Sequence, residues 1–181
     1  MCNGSSCIKS LMEMDIMRFV SLFGNVVENN NQIAGVVYSR LKGTTISEVS
    51  LIVAFLEDLS FFNQDRKIDA LKRYSPLGHN FKDLSRDSQD EQTSAGLTKL
   101  DNNSKGDLIA LNNYFLESFG FPFVICAKLN DVESILKEME KRALYDKEEQ
   151  IELAFNEVKK ITVVRIQAVF ASMGPQMSKV S

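Results

Sequence analysis

Three polar residues and one small residue lie at helical spacing in the middle of the chain. Ser88, Glu91, Gln92 and Ala95 occupy positions i, i+3, i+4 and i+7, so they share one face of a helix. A carboxylate beside an amide and a hydroxyl can hold an N–H-rich ligand such as a urea or an imide, and the small residue leaves room for it. The same spacing describes a solvated helix face, and the sequence leaves both interpretations open.

One cation interrupts the apolar stripe of the last predicted helix. Arg165 continues a 3-4-3-4 spacing of apolar or small residues, and Ala168 extends it; the preceding members are Ile151, Ala154, Val158 and Ile161. A buried guanidinium needs an anion, because an unpaired charge is costly to desolvate. That anion is a ligand, or a carboxylate of the chain such as Glu91. A side chain that reaches the helix edge is the third alternative.

The apolar segment 119–125, Phe-Gly-Phe-Pro-Phe-Val-Ile, is predicted to be extended. Outside a sheet, its backbone N–H and C=O groups need other hydrogen-bond partners. Those groups could bind a small polar ligand. The alternative is a buried connector held by aromatic packing.

The only histidine, His79, lies in a loop that contains proline, glycine and asparagine. Imidazole titrates near neutrality and can act as an acid or a base, although a loop histidine without a role is the alternative. Cys126 lies in an apolar run, which predicts an inert buried thiol. Three cysteines and one histidine favour no disulfide framework, no zinc site and a reducing compartment.

Helical periodicity covers most of the chain, which has only three prolines. We predict about eight helices and one extended run, and therefore an all-α, single-domain bundle. The predicted helices are 12–28, 32–41, 49–62, 65–74, 85–97, 105–118, 130–144 and 147–172. A helical domain over residues 11–173 is expected between flexible tails at 1–10 and 174–181.

Charge and hydropathy exclude several classes of protein. The net charge is −3, and no Lys/Arg cluster exceeds two adjacent residues, so a nucleic-acid partner is not expected. No run of 18 apolar residues predicts a membrane span, and no secretory signal is recognised. The chain ends in Met-Ser-Lys-Val-Ser rather than Ser-Lys-Leu. We expect a soluble protein of the cytoplasm or the peroxisome.

Five short motifs occur in order along the chain. They are Phe-Val and Phe-Gly-Asn within 19–25, Ser-x-x-Glu-Gln followed by Ala-Gly-Leu within 88–97, Leu-Asn at 111–112, Phe-Gly-Phe-Pro-Phe at 119–123, and Glu-Val-x-Lys-Ile with an arginine within 157–165. Together they resemble the 2-oxo-4-hydroxy-4-carboxy-5-ureidoimidazoline (OHCU) decarboxylases of urate breakdown. The resemblance runs from about residue 15 to 170.

This resemblance implies an all-α homodimer that needs no cofactor or metal and converts an anionic ureidoimidazoline to (S)-allantoin with loss of CO₂. By analogy, Glu91 orients or deprotonates the substrate, and Arg165 binds its negative charge. The remaining substrate-binding residues implied by the resemblance are Pro76, Ser88, Gln92, Phe123, Val124 and Ile125.

One motif departs from the family pattern. The family has a catalytic histidine in His-Pro-Asp-Leu, whereas this chain has Ser75-Pro76-Leu77-Gly78. Either His79, four residues further on, supplies the imidazole, or the acid–base group is lost. In the second case the protein is a weakly active or non-catalytic relative that binds purine-like anions. Loss of general acid–base catalysis typically costs about 10²- to 10⁴-fold in rate.

Overall fold

The computed structural model describes residues 14–44, 46–78 and 81–173. Within these ranges the chain forms eight α-helices, three 3₁₀ turns and no strand, so the all-α prediction is confirmed. The helices are α1 (Ile16–Phe23), α2 (Asn31–Leu41), α3 (Glu48–Ser60), α4 (Gln64–Leu71), α5 (Arg86–Ser94), α6 (Asn102–Phe119), α7 (Val132–Arg142) and α8 (Lys147–Met173). The 3₁₀ turns are Phe81–Asp83, Leu97–Lys99 and Ala127–Leu129. The predicted tails lie outside the described residues, and the domain boundaries remain a prediction.

Short polar side chains fix where the helices begin. Ser85 caps α5, because its hydroxyl accepts a hydrogen bond from the Ser88 N–H group. Asp101 caps α6, which begins at Asn102 rather than at residue 105. Asp131 caps α7, which begins at Val132 rather than at residue 130. These corrections are small, because several neighbouring polar residues could each accept the first free N–H groups of a helix.

Thr45 and Glu48 have the spacing of a capping box before α3, and the structure corrects this prediction from the sequence. Ser47 caps this helix and accepts from the Ser50 N–H group, while the Ser50 hydroxyl accepts from the Ser47 N–H group at 2.8 Å. The box therefore uses a serine pair instead of Thr45 and Glu48, and Thr45 lies outside the described residues. Glu48 is the first residue of the helix, where a carboxylate suits the positive end of the helix dipole.

The chain divides into two compact units. Of the described residues, the first comprises 14–44, 46–62 and 161–173, and the second comprises 63–78 and 81–160. Helix α8 contributes its residues up to Lys160 to the second unit and those from Ile161 onward to the first.

Aromatic packing forms the core of the first unit. The rings of Phe19 and Phe23 lie 4.9 Å apart, and they contact Tyr38 and Phe170 at 5.3 and 6.0 Å, respectively. Gly24 ends this aromatic helix, and a Cβ atom there would collide with the Val20 carbonyl and the Asn31 side chain. The glycine therefore allows the chain to turn tightly into residues 25–30.

A second aromatic cluster forms the core of the second unit. Phe115 contacts Phe119 and Phe123 at centroid distances of 5.2 and 5.0 Å, and Phe119 contacts Phe121 at 6.2 Å. Gly120 has a φ angle of +80°, which lets the chain leave α6 sharply and return its phenylalanines to the same core. Residues 122–126 form neither helix nor strand, and α5 packs against the 3₁₀ turn that follows them.

The inward stripe of α8 is largely as predicted. Ile151, Ala154, Val158 and Ile161 are at most 2% exposed, and Arg165 is 4% exposed. Ala168 is exposed, so the predicted stripe ends one position early. No helix within the described ranges is long and apolar enough to cross a membrane.

Candidate active site

Helix α5 buries two residues of the predicted polar face. Glu91 is 9% exposed and Gln92 is 4% exposed, whereas Ser88 is half-buried. The interpretation of this face as solvated is therefore wrong for Glu91 and Gln92. Helix α5 packs against the 3₁₀ turn that follows the segment 122–126, and the negative charge of Glu91 contributes to raising the pKa of Cys126.

The loop before α5 is held by two side-chain amides. Gly78 donates its N–H to Gln92 Oε1 at 2.9 Å, and Asn112 Nδ2 donates to the Leu77 carbonyl at 2.7 Å. The φ angle of Gly78 is +67°, and a Cβ atom there would lie 2.6 Å from Leu108. Gln92 therefore holds the loop with its amide oxygen, which leaves its NH₂ group as the donor that could serve a ligand.

The loop contains the altered motif. Ser75 and Pro76 are half-buried, and Leu77 is buried. His79, the predicted acid–base residue, lies outside the described residues, so its proposed role remains a prediction. Asn112 belongs to the Leu-Asn motif. Its hydrogen bond to the Leu77 carbonyl fixes the loop that leads to His79, which is a structural role for this motif.

The segment 122–126 is buried and lies between the second unit's helices. Phe123, Val124 and Ile125 are 1, 2 and 7% exposed. Arg142 Nη1 donates to the Val124 carbonyl at 3.0 Å, and the Cys126 N–H group donates to Glu157 Oε2 at 2.9 Å. The alternative of a buried connector outside a sheet fits residues 122–126. The predicted extended segment 119–125 begins too early, because Phe119 is the last residue of α6 and Gly120 ends that helix. A role of the segment in ligand binding remains a prediction.

Arg165 forms a buried ion pair in the first unit. Its Nη1 atom lies 2.8 Å from Glu28 Oε2 and donates to the Asn25 carbonyl at 2.8 Å. The side chains of Arg165 and Glu28 are 4% and 3% exposed. The carboxylate required by a buried guanidinium is thus supplied by Glu28, which follows the Phe-Gly-Asn motif. The assignment of Arg165 to substrate binding remains a prediction.

Cys126 is predicted to be unreactive in the folded protein. Burial, together with the negative charges of Glu91 and Glu157, raises the pKa of its thiol to about 11 from an ordinary value of 9.0. At pH 9 the unfolded chain carries about half of this thiol as thiolate, whereas the folded chain keeps it protonated. Thiol ionisation therefore lowers the stability of the fold as pH rises from about 9 to about 11.

We expect iodoacetamide at pH 9 to modify Cys126 at least tenfold more slowly in native protein than in protein unfolded by urea. Mass spectrometry of the peptide that contains Cys126 measures this rate separately from Cys2 and Cys7. Equal rates in the native and unfolded states would show that the thiol is accessible and ionised.

Several residues of the two units were not assigned by the sequence. Glu28 has no spacing relation to Arg165, so only the folded chain identifies this pair. Arg142 did carry a signal, because it continues the spacing of the buried residues Ile135 and Met139 on α7. A cation on an apolar helical stripe is the same pattern that singled out Arg165.

The fold and the buried polar residues define an all-helical protein with a carboxylate and an amide beside a non-sheet backbone segment. The sequence pattern of the OHCU decarboxylase family matches residues 12–167. The chain therefore belongs to the OHCU decarboxylase family. It is 34% identical over 158 residues to 2-oxo-4-hydroxy-4-carboxy-5-ureidoimidazoline decarboxylase of Mus musculus, covering 84% of this chain and 86% of that protein.

Two solved structures share the fold. A crystal structure of (S)-allantoin synthase matches with a TM-score of 0.71 and 16% identity, over 90% of this chain and 53% of that chain. A crystal structure of OHCU decarboxylase in the presence of (S)-allantoin matches with a TM-score of 0.65 and 19% identity, over 77% of this chain and 91% of that chain. This chain thus spans about half of the allantoin synthase chain and most of the decarboxylase chain.

Proposed function

We propose that this protein is a cofactor-independent carboxy-lyase that decarboxylates OHCU to (S)-allantoin in urate breakdown. Membership of the OHCU decarboxylase family over residues 12–167 carries the proposal. The relative from Mus musculus is named an OHCU decarboxylase, and the related OHCU decarboxylase structure was determined in the presence of (S)-allantoin. The buried polar face of α5 supports the assignment, since a ureidoimidazoline offers several N–H and C=O groups to bind.

The proposed chemistry needs a base, an acid and fixed hydrogen-bond partners. Glu91 orients or deprotonates the substrate, and cleavage of the bond to CO₂ leaves an electron pair on the ring carbon. As the hydroxyl-bearing carbon becomes a carbonyl, this electron pair moves to the neighbouring ring carbon, which carries the ureido group. A proton delivered to one face of that neighbouring carbon gives the S product, and His79 is proposed to supply it. Ser88, Gln92 and the backbone of 123–125 bind the ureido and ring amides, with Pro76 lining the site. Arg165 is proposed to bind negative charge.

The wild-type protein tests this function directly. Freshly generated OHCU is supplied, and circular dichroism follows the chirality of the allantoin formed. We expect (S)-allantoin to accumulate faster than spontaneous decay produces racemic product. Well-folded protein that gives no rate above spontaneous decay would refute the proposal; binding of purine-like anions under those conditions would then favour the non-catalytic alternative.

His79, which lies four residues after the position of the family histidine, gives a second prediction. His79→Gln is expected to lower kcat by about 10²-fold, because glutamine keeps hydrogen-bonding groups but cannot carry a proton near neutrality. The far-UV circular dichroism spectrum should not change. Turnover equal to that of the wild type would remove His79 from the mechanism.

The assembly and the compartment are proposed from the family resemblance. A homodimer is supported by exposed apolar side chains of the first unit, including Val49 at 70% and Phe61 at 76% exposure. The cytoplasm or the peroxisome is the proposed location.

A further inference from the structure

Arg142 is a buried cation that forms no ion pair within the described ranges. It is 2% exposed, and its Nη2 atom is buried and makes no hydrogen bond. Burial lowers the pKa of its guanidinium to about 10, although the charges of Glu157 and Glu138 act in the opposite direction. The guanidinium is protonated at neutral pH. The fold therefore bears the desolvation cost of a buried charge, which an apolar side chain at this position would not have.

The side chain of Arg142 contacts two neighbouring residues of the segment 123–125. Its guanidinium carbon lies 4.4 Å from the ring centroid of Phe123, and its Nη1 atom donates to the Val124 carbonyl at 3.0 Å. Gln150 holds this side chain in place, since its Oε1 atom accepts from Arg142 Nε at 3.3 Å and its Nε2 atom donates to the Arg142 carbonyl. Both partners are buried, so the guanidinium has one defined position.

The contacts made by Val124 and Cys126 indicate which peptide groups remain for a ligand. The Val124 carbonyl accepts from Arg142, and the N–H group of Cys126, two residues further on, donates to Glu157. The N–H and C=O groups of Phe123 and Ile125 take no part in either contact.

The peptide groups of Phe123 and Ile125 have no partner among the described residues. The hydrogen bonds of the described chain do not include their N–H or C=O groups, although both residues are buried. A buried backbone group without a hydrogen-bond partner is rare and costly, so a bound molecule would account for these groups by serving as their partner. A cyclic ureide can both donate to a carbonyl and accept from an N–H group.

We infer that Arg142 is a positioning residue for the substrate site, because it fixes Phe123 and Val124 so that the peptide groups of residues 123 and 125 face the ligand. This inference rests on the proposed function. A guanidinium suits the task because its flat face stacks on a ring while its edge donates hydrogen bonds. A lysine ammonium is a point charge and cannot do both.

The variant Arg142→Met tests the inference in the full-length protein. Methionine has similar length and keeps an apolar contact with the Phe123 ring, but it cannot donate to the Val124 carbonyl. We expect the KM for freshly generated OHCU and the Kd for (S)-allantoin to rise about tenfold. The kcat should stay within about twofold, since the oriented peptide groups bind substrate and transition state alike.

Lys141→Met is the matched control, because it makes the same change at the next residue of α7. The Lys141 side chain is 60% exposed and pairs with Glu138 only at the surface. We expect its KM, kcat and Kd to equal those of the wild type. The thermal midpoint of each variant is measured alongside, so that loss of folded protein is not mistaken for loss of affinity.

The outcomes separate this inference from the proposed function. A lower midpoint with unchanged KM and Kd in Arg142→Met would overturn the inference, since Arg142 would then serve stability alone. If that variant does not fold, Arg142→Lys replaces it, and a KM equal to that of the wild type would likewise overturn the inference. Wild-type protein that binds (S)-allantoin without turnover refutes the proposed function only, and the comparison of Kd values still decides the role of Arg142. Wild-type protein that neither binds nor reacts refutes both.

Discussion

Replacement of Glu91 with glutamine is expected to lower kcat for OHCU by about 10³-fold, within the range of about 10² to 10⁴ that a general acid or base supplies. Glu91 is buried on α5 beside Gln92. Its negative charge contributes to raising the pKa of the Cys126 thiol, at the end of the segment 122–126. Glutamine has nearly the same volume and can still donate and accept hydrogen bonds. It cannot take or return a proton, so binding should persist while turnover is lost.

Steady-state kinetics of the variant on freshly generated substrate measure this effect, together with its Kd for (S)-allantoin. Asp90→Asn is the control, because it removes a carboxylate from the neighbouring, exposed position of the same helix. We expect Asp90→Asn to retain the wild-type kcat. A kcat within threefold of the wild type in Glu91→Gln would exclude proton transfer by Glu91.

Replacement of Glu28 with glutamine is expected to lower the free energy of unfolding by about 3–5 kcal/mol. The Glu28 and Arg165 side chains are almost fully buried, and their charged atoms lie 2.8 Å apart. Removal of one charge leaves the other desolvated and uncompensated, which is more costly than the loss of the pair itself. Denaturation by urea, followed by far-UV circular dichroism, measures the change.

Two comparison variants establish the cause. Glu133→Gln removes a carboxylate from the exposed pair with Lys137, whose atoms lie 2.6 Å apart, and should have little effect. The double variant Glu28→Gln/Arg165→Met removes both buried charges and should regain much of the lost stability. A double variant less stable than Glu28→Gln alone would contradict this explanation.

The variant Glu28→Gln also tests whether Arg165 binds the substrate. If Arg165 binds negative charge, removal of the competing Glu28 carboxylate should tighten the binding of a purine-like anion such as urate. Isothermal titration of urate into wild-type protein and Glu28→Gln measures the difference. Equal affinities would show that Arg165 does not bind the anion.

The sequence by itself determined the fold class and most helices. Apolar residues repeat at helical spacing through the chain, and such a pattern can be buried only if the segment is helical. Helix α6 ends at Phe119, one residue beyond the predicted 118, and Gly120 follows it in the left-handed conformation that favours glycine. The N-terminal ends were less well predicted, as at Ser47 and Asp131, since several adjacent polar residues can cap a helix.

Part of the candidate site was also visible in the sequence. The spacing of Glu91 and Gln92 placed both on one helix face, and the stripe of α8 placed Arg165 in the interior, because both relations lie within a single helix. His79 could be named as the only histidine, but its position lies outside the described residues.

Only the tertiary structure decided which partners these residues have. Glu28 and Arg165 are 137 residues apart, and Arg142 reaches Val124 across 18 residues of chain, so no local periodicity relates them. A helix fixes the direction of its own side chains, whereas the partner across a core depends on how separate elements pack. That packing assigned Glu28 to Arg165, Gln92 and Asn112 to the loop at 77–78, and Arg142 to the segment at 123–125.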